Sequence, residues 1–350
     1  MRKKIPVGLL GATGTVGQRF VQRLADHPWF ELTAVTASER SEGKTYAQAA
    51  RWRLASPLPE RVASMRLLPS GGEISCRIVF SALDATAARE LEPAYAREGK
   101  WIFSNASAYR MEPDVPLLIP EINAESLSLV ERQQRERGWK GAIVTNANCS
   151  TIILAMALAP LHQRFGVEKV FVTTMQALSG AGYPGVPSLD ILGNVLPDIL
   201  EEDAKIERET AKILGKTTGE SVETAPFVVS AMTYRVAVED GHTESISVLL
   251  SRRADASELL AAWREFRGPE NVRALPTSPK TPIVYLEAPH RPQPRRDVDT
   301  QSGMAAVIGG LKACPLFDWK FTALGHNTVR GAAGASVLNA EYAASKGLLD

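Results

Sequence analysis

The fold is decided by residues 5–17, which read IPVGLLGATGTVG. Residues 5–10 predict a short buried strand, and three glycines follow it at the opening of a helical pattern that runs to residue 26. A glycine-rich turn between a strand and a helix brings backbone N–H groups against a pyrophosphate. The spacing is G-x-x-G-x-x-G, so a tight turn in an unrelated α/β protein stays open as an alternative. We predict a nucleotide site at Gly11, Thr13, Gly14, Thr15 and Val16.

The alternation of short apolar runs and helical patterns continues to about residue 150. Apolar runs at 32–35, 78–80, 101–103 and 142–145, with a helical pattern at 84–98, predict a doubly wound parallel sheet. Longer strands then follow at 169–176, 227–238 and 243–250, with helical segments at 198–214 and 255–266, which favours an α+β domain. We expect a Rossmann-like domain over residues 1–148, completed by a C-terminal helix within 330–350, and a second domain over 149–329.

Composition excludes several classes of protein. The 350 residues favour two domains, and 40 Lys plus Arg against 39 Asp plus Glu leave no net charge to attract nucleic acid or an anionic membrane. Three cysteines without paired spacing argue against a disulfide framework and a zinc site, so we expect no metal and a reducing compartment. No signal peptide or membrane span is predicted. We expect a cytoplasmic protein.

A single cysteine lies between an apolar strand and an apolar helix. Residues 146–151 read NANCST, the strand covers 141–145, and the helix begins near Cys149. Helix N-termini favour anions, so we expect Cys149 to lie toward its thiolate, the reactive form. The alternative is a small buried hydrophobe, which is the usual role of an isolated cysteine.

The second strand ends in a polar segment where NAD-specific proteins place an acidic residue for the ribose 2′-hydroxyl. Here Ser38, Arg40 and Ser41 surround Glu39. An arginine and two serines can hold a 2′-phosphate, whereas Glu39 would repel it if it pointed inward. We predict that NADP is preferred over NAD.

Further candidates lie in the second half of the chain. His242 precedes an alternating strand and is a candidate proton carrier, with a strand-end histidine satisfied by local hydrogen bonds as the alternative. Arg235 could grip a carboxylate, or form an ordinary salt bridge. Glu202 and Lys205, at i and i+3 on a helix, are more typical of a solvated pair. A Gly/Pro-rich stretch at 179–187 directly follows a strand, which favours a loop that faces a ligand. For a second such stretch, at 291–296, an ordinary surface loop stays open as the alternative.

Together these motifs resemble the aspartate-β-semialdehyde dehydrogenases, specifically their archaeal and fungal branch. The resemblance runs over nearly the whole chain, through residues 10–20, 104–110, 114–121, 148–151, 179–187, 241–245 and 326–334. It implies NADPH-dependent reductive dephosphorylation of L-aspartyl-4-phosphate to L-aspartate-4-semialdehyde, a step toward lysine, methionine and threonine. It also implies that the second domain is catalytic and forms a homodimer, or a homotetramer built from two dimers.

The same resemblance implies roles for individual residues. Cys149 matches the nucleophile, His242 the general acid/base, Gln176 the residue that orients the acyl group, and Arg235 the carboxylate anchor. Arg110, Glu202 and Lys205 match positions that bind substrate or phosphate, and Ser81, Gly180 and Asn327 are expected at the cofactor, with Asn327 at the nicotinamide. Two alternatives remain: a malonyl-CoA reductase of the same fold, and a catalytically silent NADP-binding protein.

Overall fold

A computed structural model describes residues 4–41 and 43–349 of the chain. Its first half is a six-stranded parallel sheet in the order β3-β2-β1-β4-β5-β6, which confirms the predicted doubly wound architecture. The order reverses between β1 and β4, and ligands of such folds bind at the carboxyl edge next to this point. The elements are β1 (Ile5–Leu10), α1 (Thr15–Leu24), β2 (Phe30–Ala37), α2 (Tyr46–Ala49), α3 (Glu60–Ala63), β3 (Leu68–Pro69), β4 (Ile78–Ser81), α4 (Ala85–Arg97), β5 (Trp101–Ser104), α5 (Pro120–Asn123), α6 (Leu129–Arg137) and β6 (Ala142–Thr145).

The second half is built on a mixed seven-stranded sheet, in the order β13-β14-β15-β12-β7-β11-β8. Strands β7 and β11 pair in parallel and β12 pairs antiparallel to both β7 and β15, as the change of strand pattern predicted. Its elements are α7 (Cys149–Phe165), β7 (Val167–Gln176), α8 (Ser188–Ile191), β8 (Leu196–Pro197), α9 (Glu202–Ile213), β9 (Lys216–Thr217), β10 (Val222–Glu223), β11 (Val228–Arg235), β12 (His242–Leu250), α10 (Ala256–Glu265), α11 (Glu270–Arg273), β13 (Ile283–Leu286), α12 (Pro294–Asp297), β14 (Ala306–Ala313), β15 (Trp319–Gly325) and α13 (Gly334–Ser345).

Helix α7 links the two sheets. It follows β6 of the first sheet after a three-residue turn, and 13 of its 17 residues are buried because it packs against the inner face of the second sheet. A helix that is apolar on all sides belongs in a core. Its first turn therefore lies where the two sheets meet, which places Cys149 at this junction.

The C-terminal helix α13 packs back onto the first sheet. It contacts α1, β4 and β5, and its buried residues join the core cluster that contains β1 and β2. A buried hydrogen bond supports this packing, since the ring of His27 donates from Nε2 to Glu341 of α13 at 2.7 Å while its Nδ1 accepts two backbone N–H groups. Among the described residues, no helix is long and apolar enough to cross a membrane.

Candidate active site

Cys149 and His242 are brought into contact by the first residues of α7 and β12. The Sγ atom of Cys149 lies 3.1 Å from Nε2 of His242, although the two residues are 93 positions apart. Cys149 is partly buried and His242 is fully buried. The sequence-predicted nucleophile and proton carrier thus form a pair with hydrogen-bonding geometry.

The ring of His242 is held in one tautomer. The backbone N–H of Ala177 donates to Nδ1 at 3.0 Å, so the neutral ring carries its proton on Nε2, which faces Cys149. Burial and the nearby charge of Arg235 lower the pKa of His242 well below its usual value. The resting imidazole is therefore neutral and presents a hydrogen-bond donor to the sulfur.

The expectation of a resting thiolate at Cys149 is wrong. Burial and the negative charge of Glu202 raise the pKa of this thiol to about 12, and Arg110 and Arg235 only partly oppose the rise. The N–H of Ser150 lowers the pKa least among these groups, and the side chain of Asn148 also accepts the N–H groups of Ser150 and Thr151, at 2.9 and 3.2 Å. The thiol is the resting form.

Arg235 and Gly180 lie directly beside His242. The guanidinium of Arg235 donates to the carbonyl oxygen of Ala177 at 2.7 Å. A Cβ atom at position 180 would lie 2.8 Å from Nη1 of Arg235 and 2.9 Å from Cε1 of His242, so only glycine fits. The beginning of the glycine-rich stretch at 179–187 therefore lies beside the Cys149–His242 pair, with Gly180 against Arg235 and His242.

Helix α9 brings two opposite charges to the turn before Cys149. Lys205 pairs with Glu202 at 3.0 Å, and both side chains are only 23% and 14% exposed. Glu202 also accepts from Asn148 Nδ2 at 2.7 Å and from Gln176 Nε2 at 3.5 Å. The pair is thus part of the site, contrary to the alternative of a solvated surface pair.

Arg110 reaches the same turn from the segment after β5. Its guanidinium donates to Glu209 at 3.0 Å and to the carbonyl oxygen of Asn105 at 2.6 Å, and it is nearly buried. Arg110 and Arg235 both bring positive charge near Cys149, and Lys205 lies beside Glu202. Such a cluster suits a substrate that carries more than one anionic group.

The candidate cofactor residues line the carboxyl edge of the first sheet. Gly14 caps α1 without any side-chain acceptor, and no acidic residue lies in the first turn. A Cβ at Gly17 would lie 2.3 Å from the carbonyl oxygen of Gly11, so the turn stays tight and its N–H groups stay accessible. A cavity of about 460 Å³ opens beside it, lined in part by Thr15, Arg19 and Ser179. These features fit a bound pyrophosphate.

The other predicted cofactor residues differ in exposure. Ser38, Arg40 and Ser41 follow β2 at the rim, where Ser38 and Arg40 are exposed, and the side chain of Glu39 lies outside the described structure. Ser81 ends β4 and is fully buried. Asn327 uses both ends of its amide within the protein, since Oδ1 accepts from the N–H of Gly241 and Nδ2 donates to the hydroxyl of Ser179, both at 2.8 Å.

Several residues of the site were not predicted from the sequence. Asn148 caps α7 and holds Glu202, Glu209 bridges Arg110 to the backbone of Asn148, and Lys212 donates to three carbonyl oxygens of the segment that carries Arg110. Only Asn148 had a local signal, because asparagine is a favoured helix N-cap. No group of three or more potential metal ligands occurs among the described residues.

Comparison with known proteins identifies the family. Residues 6–130 match the semialdehyde dehydrogenase NAD binding domain, and residues 158–330 match the semialdehyde dehydrogenase dimerisation domain. Over 336 residues, and 96% of each chain, the protein is 49% identical to aspartate-semialdehyde dehydrogenase of Archaeoglobus fulgidus. The enzyme of Cryptococcus neoformans is 46% identical over 99% of each chain. The chain belongs to the aspartate-semialdehyde dehydrogenase family. The family membership inferred from the motifs is thereby confirmed, and both archaeal and fungal enzymes are among the relatives.

Solved structures of the family agree. Aspartate-semialdehyde dehydrogenase from Candida albicans, crystallised with NADP, superimposes with a TM-score of 0.90 at 38% identity, over 99% of this chain and 100% of that one. The Vibrio cholerae enzyme II, with a TM-score of 0.78 and 23% identity over 98% of each chain, shares the fold.

Proposed function

We propose that the protein reduces L-aspartyl-4-phosphate with NADPH, releasing L-aspartate-4-semialdehyde and phosphate, in the synthesis of lysine, methionine and threonine. The observation that carries the proposal is the contact of 3.1 Å between Cys149 Sγ and His242 Nε2, placed beside three cationic side chains and one carboxylate. The substrate has two anionic groups and one ammonium group, and the site offers the opposite charges. Family membership supports the same reaction.

The charges suggest how the substrate is held. Arg235, beside His242, suits the α-carboxylate, since a guanidinium binds a carboxylate bidentately. Glu202 suits the ammonium group, and Arg110 with Lys205 suits the phosphate. Gln176, within reach of Glu202, is proposed to orient the acyl group near Cys149.

The first chemical step is attack by Cys149. Its sulfur bonds to the acyl carbon, the carbon–oxygen bond to phosphate breaks, and the departing phosphate takes up the proton of the thiol. The high pKa of the thiol ensures that this proton is still present when the substrate arrives. The product of this step is a thioester on Cys149.

The second step releases the aldehyde. When bound, NADPH supplies the hydride that reduces the thioester. The carbon–sulfur bond then breaks, and the sulfur carries negative charge as it leaves. The Nε2–H of His242 stabilises that charge by hydrogen bonding, and a proton from solvent then restores the resting thiol.

The cofactor is proposed to lie along the carboxyl edge of the first sheet. The N–H groups of α1 would hold its pyrophosphate, with Gly11, Thr13, Gly14, Thr15 and Val16 forming the turn. Ser38, Arg40 and Ser41 would hold the 2′-phosphate of NADP. Ser81, Gly180 and Asn327 are proposed nearer the nicotinamide, with Gly180 beside the catalytic pair and Asn327 fixing the loop next to it.

The test is the reverse reaction. Purified protein is mixed with L-aspartate-4-semialdehyde, phosphate and NADP, and formation of reduced nicotinamide is followed. We expect reduction that depends on phosphate. Oxidation of NADPH by malonyl-CoA, without phosphate-dependent turnover of the semialdehyde, would show that the protein is a malonyl-CoA reductase instead. Cofactor binding without either reaction would indicate a silent NADP-binding protein.

A homodimer is proposed to form through the outer face of the second sheet, with a homotetramer as its further assembly. Phe171 of β7 and Val228 and Met232 of β11 are exposed on this face, although large apolar side chains are normally buried there. Phe171 and Val228 border, with Leu316, a largely apolar cavity of about 530 Å³. The match to a dimerisation domain over 158–330 supports this assignment. Sedimentation of the protein and of Phe171→Glu would test it, with dissociation expected for the variant.

Domain limits and compartment complete the proposal. A boundary between residues 148 and 149, with α13 assigned to the cofactor domain, is supported by the packing of α7 and α13. Location in the cytoplasm is supported by the three free cysteines, one of which must stay reduced for catalysis.

A further inference from the structure

Glu209 of helix α9 bridges two parts of the active site that are far apart in sequence. Its Oε1 accepts from Arg110 Nη1 at 3.0 Å, and its Oε2 accepts from the backbone N–H of Asn148 at 2.7 Å. The carboxylate is 2% exposed. One buried charge thus contacts both a proposed phosphate ligand and the residue that precedes the nucleophile.

The rest of α9 makes this bridge rigid. Glu202 and Glu209 are seven residues apart, so they lie on the same face of the helix. Lys212, one turn after Glu209, donates from Nζ to the carbonyl oxygens of residues 110, 112 and 115, at 2.7, 2.8 and 3.0 Å. The helix is therefore fastened to the segment around Arg110 through Glu209 and Lys212, and to Asn148, before Cys149, through Glu202 and Glu209.

We propose that Glu209 is a positioning residue that fixes the distance between the phosphate-binding side chain of Arg110 and the sulfur of Cys149. It does not touch the substrate. It acts through its two partners, so that phosphate bound at Arg110 is held in line for departure from the carbon that Cys149 attacks. This inference rests on the proposed function, because it assigns phosphate to Arg110.

The physical requirement is a carboxylate with two accepting oxygens. In Glu209→Gln one oxygen becomes an NH₂ group, which must face either the N–H of Asn148 or the guanidinium of Arg110, and both are donors. One of the two contacts is lost. Displacement of a reacting group by about 1 Å can cost on the order of 100-fold in rate.

The experiment measures the reverse reaction and separates KM from kcat. For Glu209→Gln we expect the KM for phosphate to rise and kcat to fall, with a combined loss on the order of 100-fold in kcat/KM for phosphate. The KM for NADP should stay at its wild-type value. A matched control is Glu207→Gln, on the same helix, whose carboxylate accepts the N–H of Ala231 at 3.1 Å, and which should leave all constants unchanged.

The outcomes distinguish the proposals. If Glu209 only supports folding, the variant shows a smaller active fraction, with lower apparent kcat and an unchanged KM for phosphate, and the inference is overturned. Should Glu209→Gln not fold, Glu209→Asp keeps the charge but is one methylene too short to span both partners. It should raise the KM for phosphate at least threefold, and wild-type constants would also overturn the inference. Absence of phosphate-dependent activity in the wild type would refute the proposed function instead.

Discussion

Two helices begin beside the ligand-binding edges of this protein, and their N-termini are built in opposite ways. Helix α1 starts after Gly14, which offers no side chain to its first N–H groups. Helix α7 starts after Asn148, whose Oδ1 accepts from both Ser150 and Thr151. Both follow a parallel strand of the same sheet, so the difference arises from one residue at the N-cap.

The difference shows that a helix N-terminus binds an anion only if its N–H groups are unused. At α1 they are available for a pyrophosphate brought by the cofactor. At α7 they are already accepted by Asn148, while burial and the charge of Glu202 raise the pKa of the Cys149 thiol to about 12. Activation of the nucleophile must come from His242, from the nearby arginines and from the substrate itself.

The largest effect is expected for Cys149→Ser. A hydroxyl at this position is a much weaker nucleophile, so turnover should fall by at least on the order of 1,000-fold while the fold and NADP binding persist. The measurement is kcat in the reverse reaction, with a binding titration for NADP. Cys314→Ser, on the far side of the second sheet, is the matched control and should retain full activity. Near-normal turnover by Cys149→Ser would exclude the thioester route.

The second largest effect is expected when the N-terminus of α1 is capped by a side chain, as that of α7 is. The backbone of Gly14 is extended, and a Cβ there would lie 3.6 Å from the nearest atom, so Gly14→Asp is sterically tolerated. The new carboxylate would occupy the first N–H groups and repel the pyrophosphate, and we expect the KM for NADP to rise on the order of 100-fold.

Gly14→Asn serves as the control for charge, because it caps the helix as Asn148 does but remains neutral. It should raise the KM for NADP less than aspartate does. An unchanged KM in both variants would show that the cofactor does not use the N-terminus of α1.

The fold was largely predictable because its signals are local. Strand β1, the turn after it and helix α1 follow from the apolar run and glycines of residues 5–17. Strands β13, β14 and β15 were not predicted. Strand β14 reads AVIGGLKA, and its two glycines interrupt the apolar pattern that would indicate a strand. Its pairing with β15 and β13 comes from tertiary contacts.

The site was predictable only where side-chain chemistry is visible in a motif. Cys149 and His242 could be proposed from their neighbours, but the tautomer of His242 depends on the backbone N–H of Ala177, which no side chain reveals. The role of Glu209 depends on partners 61 and 99 positions away. The thiolate was predicted wrongly because the sequence showed a helix start but neither the burial of Cys149 nor the approach of Glu202, which raise its pKa.

Cofactor choice should respond more modestly to Arg40→Ala. Arg40 lies exposed at the rim after β2, and the proposed function assigns it to the 2′-phosphate of NADP. Its removal should lower the ratio of kcat/KM for NADP to that for NAD by roughly 10-fold, as expected for one charge-assisted contact. Arg61→Ala, which removes an exposed arginine paired with Glu31, is the control. A constant ratio in Arg40→Ala would refute the assignment of the 2′-phosphate.

The smallest effect, and the most direct test of the comparison, is expected for Asn148→Gly. Glycine would open the N-terminus of α7 as Gly14 opens that of α1, at a cost of about 1.5–3 kcal/mol in stability, because it also removes the hydrogen bond from Asn148 Nδ2 to the Glu202 carboxylate. The freed N–H groups would favour the thiolate and lower the pKa of Cys149. Because the wild-type thiol has a pKa of about 12, its alkylation by iodoacetamide should rise continuously from pH 7 to 10. In the variant the rate at pH 8 should be roughly 2- to 5-fold higher, after subtraction of the rate in Cys149→Ser, which reports the other two cysteines. A pH profile identical to that of the wild type would mean that burial and Glu202, rather than the cap, keep this thiol protonated.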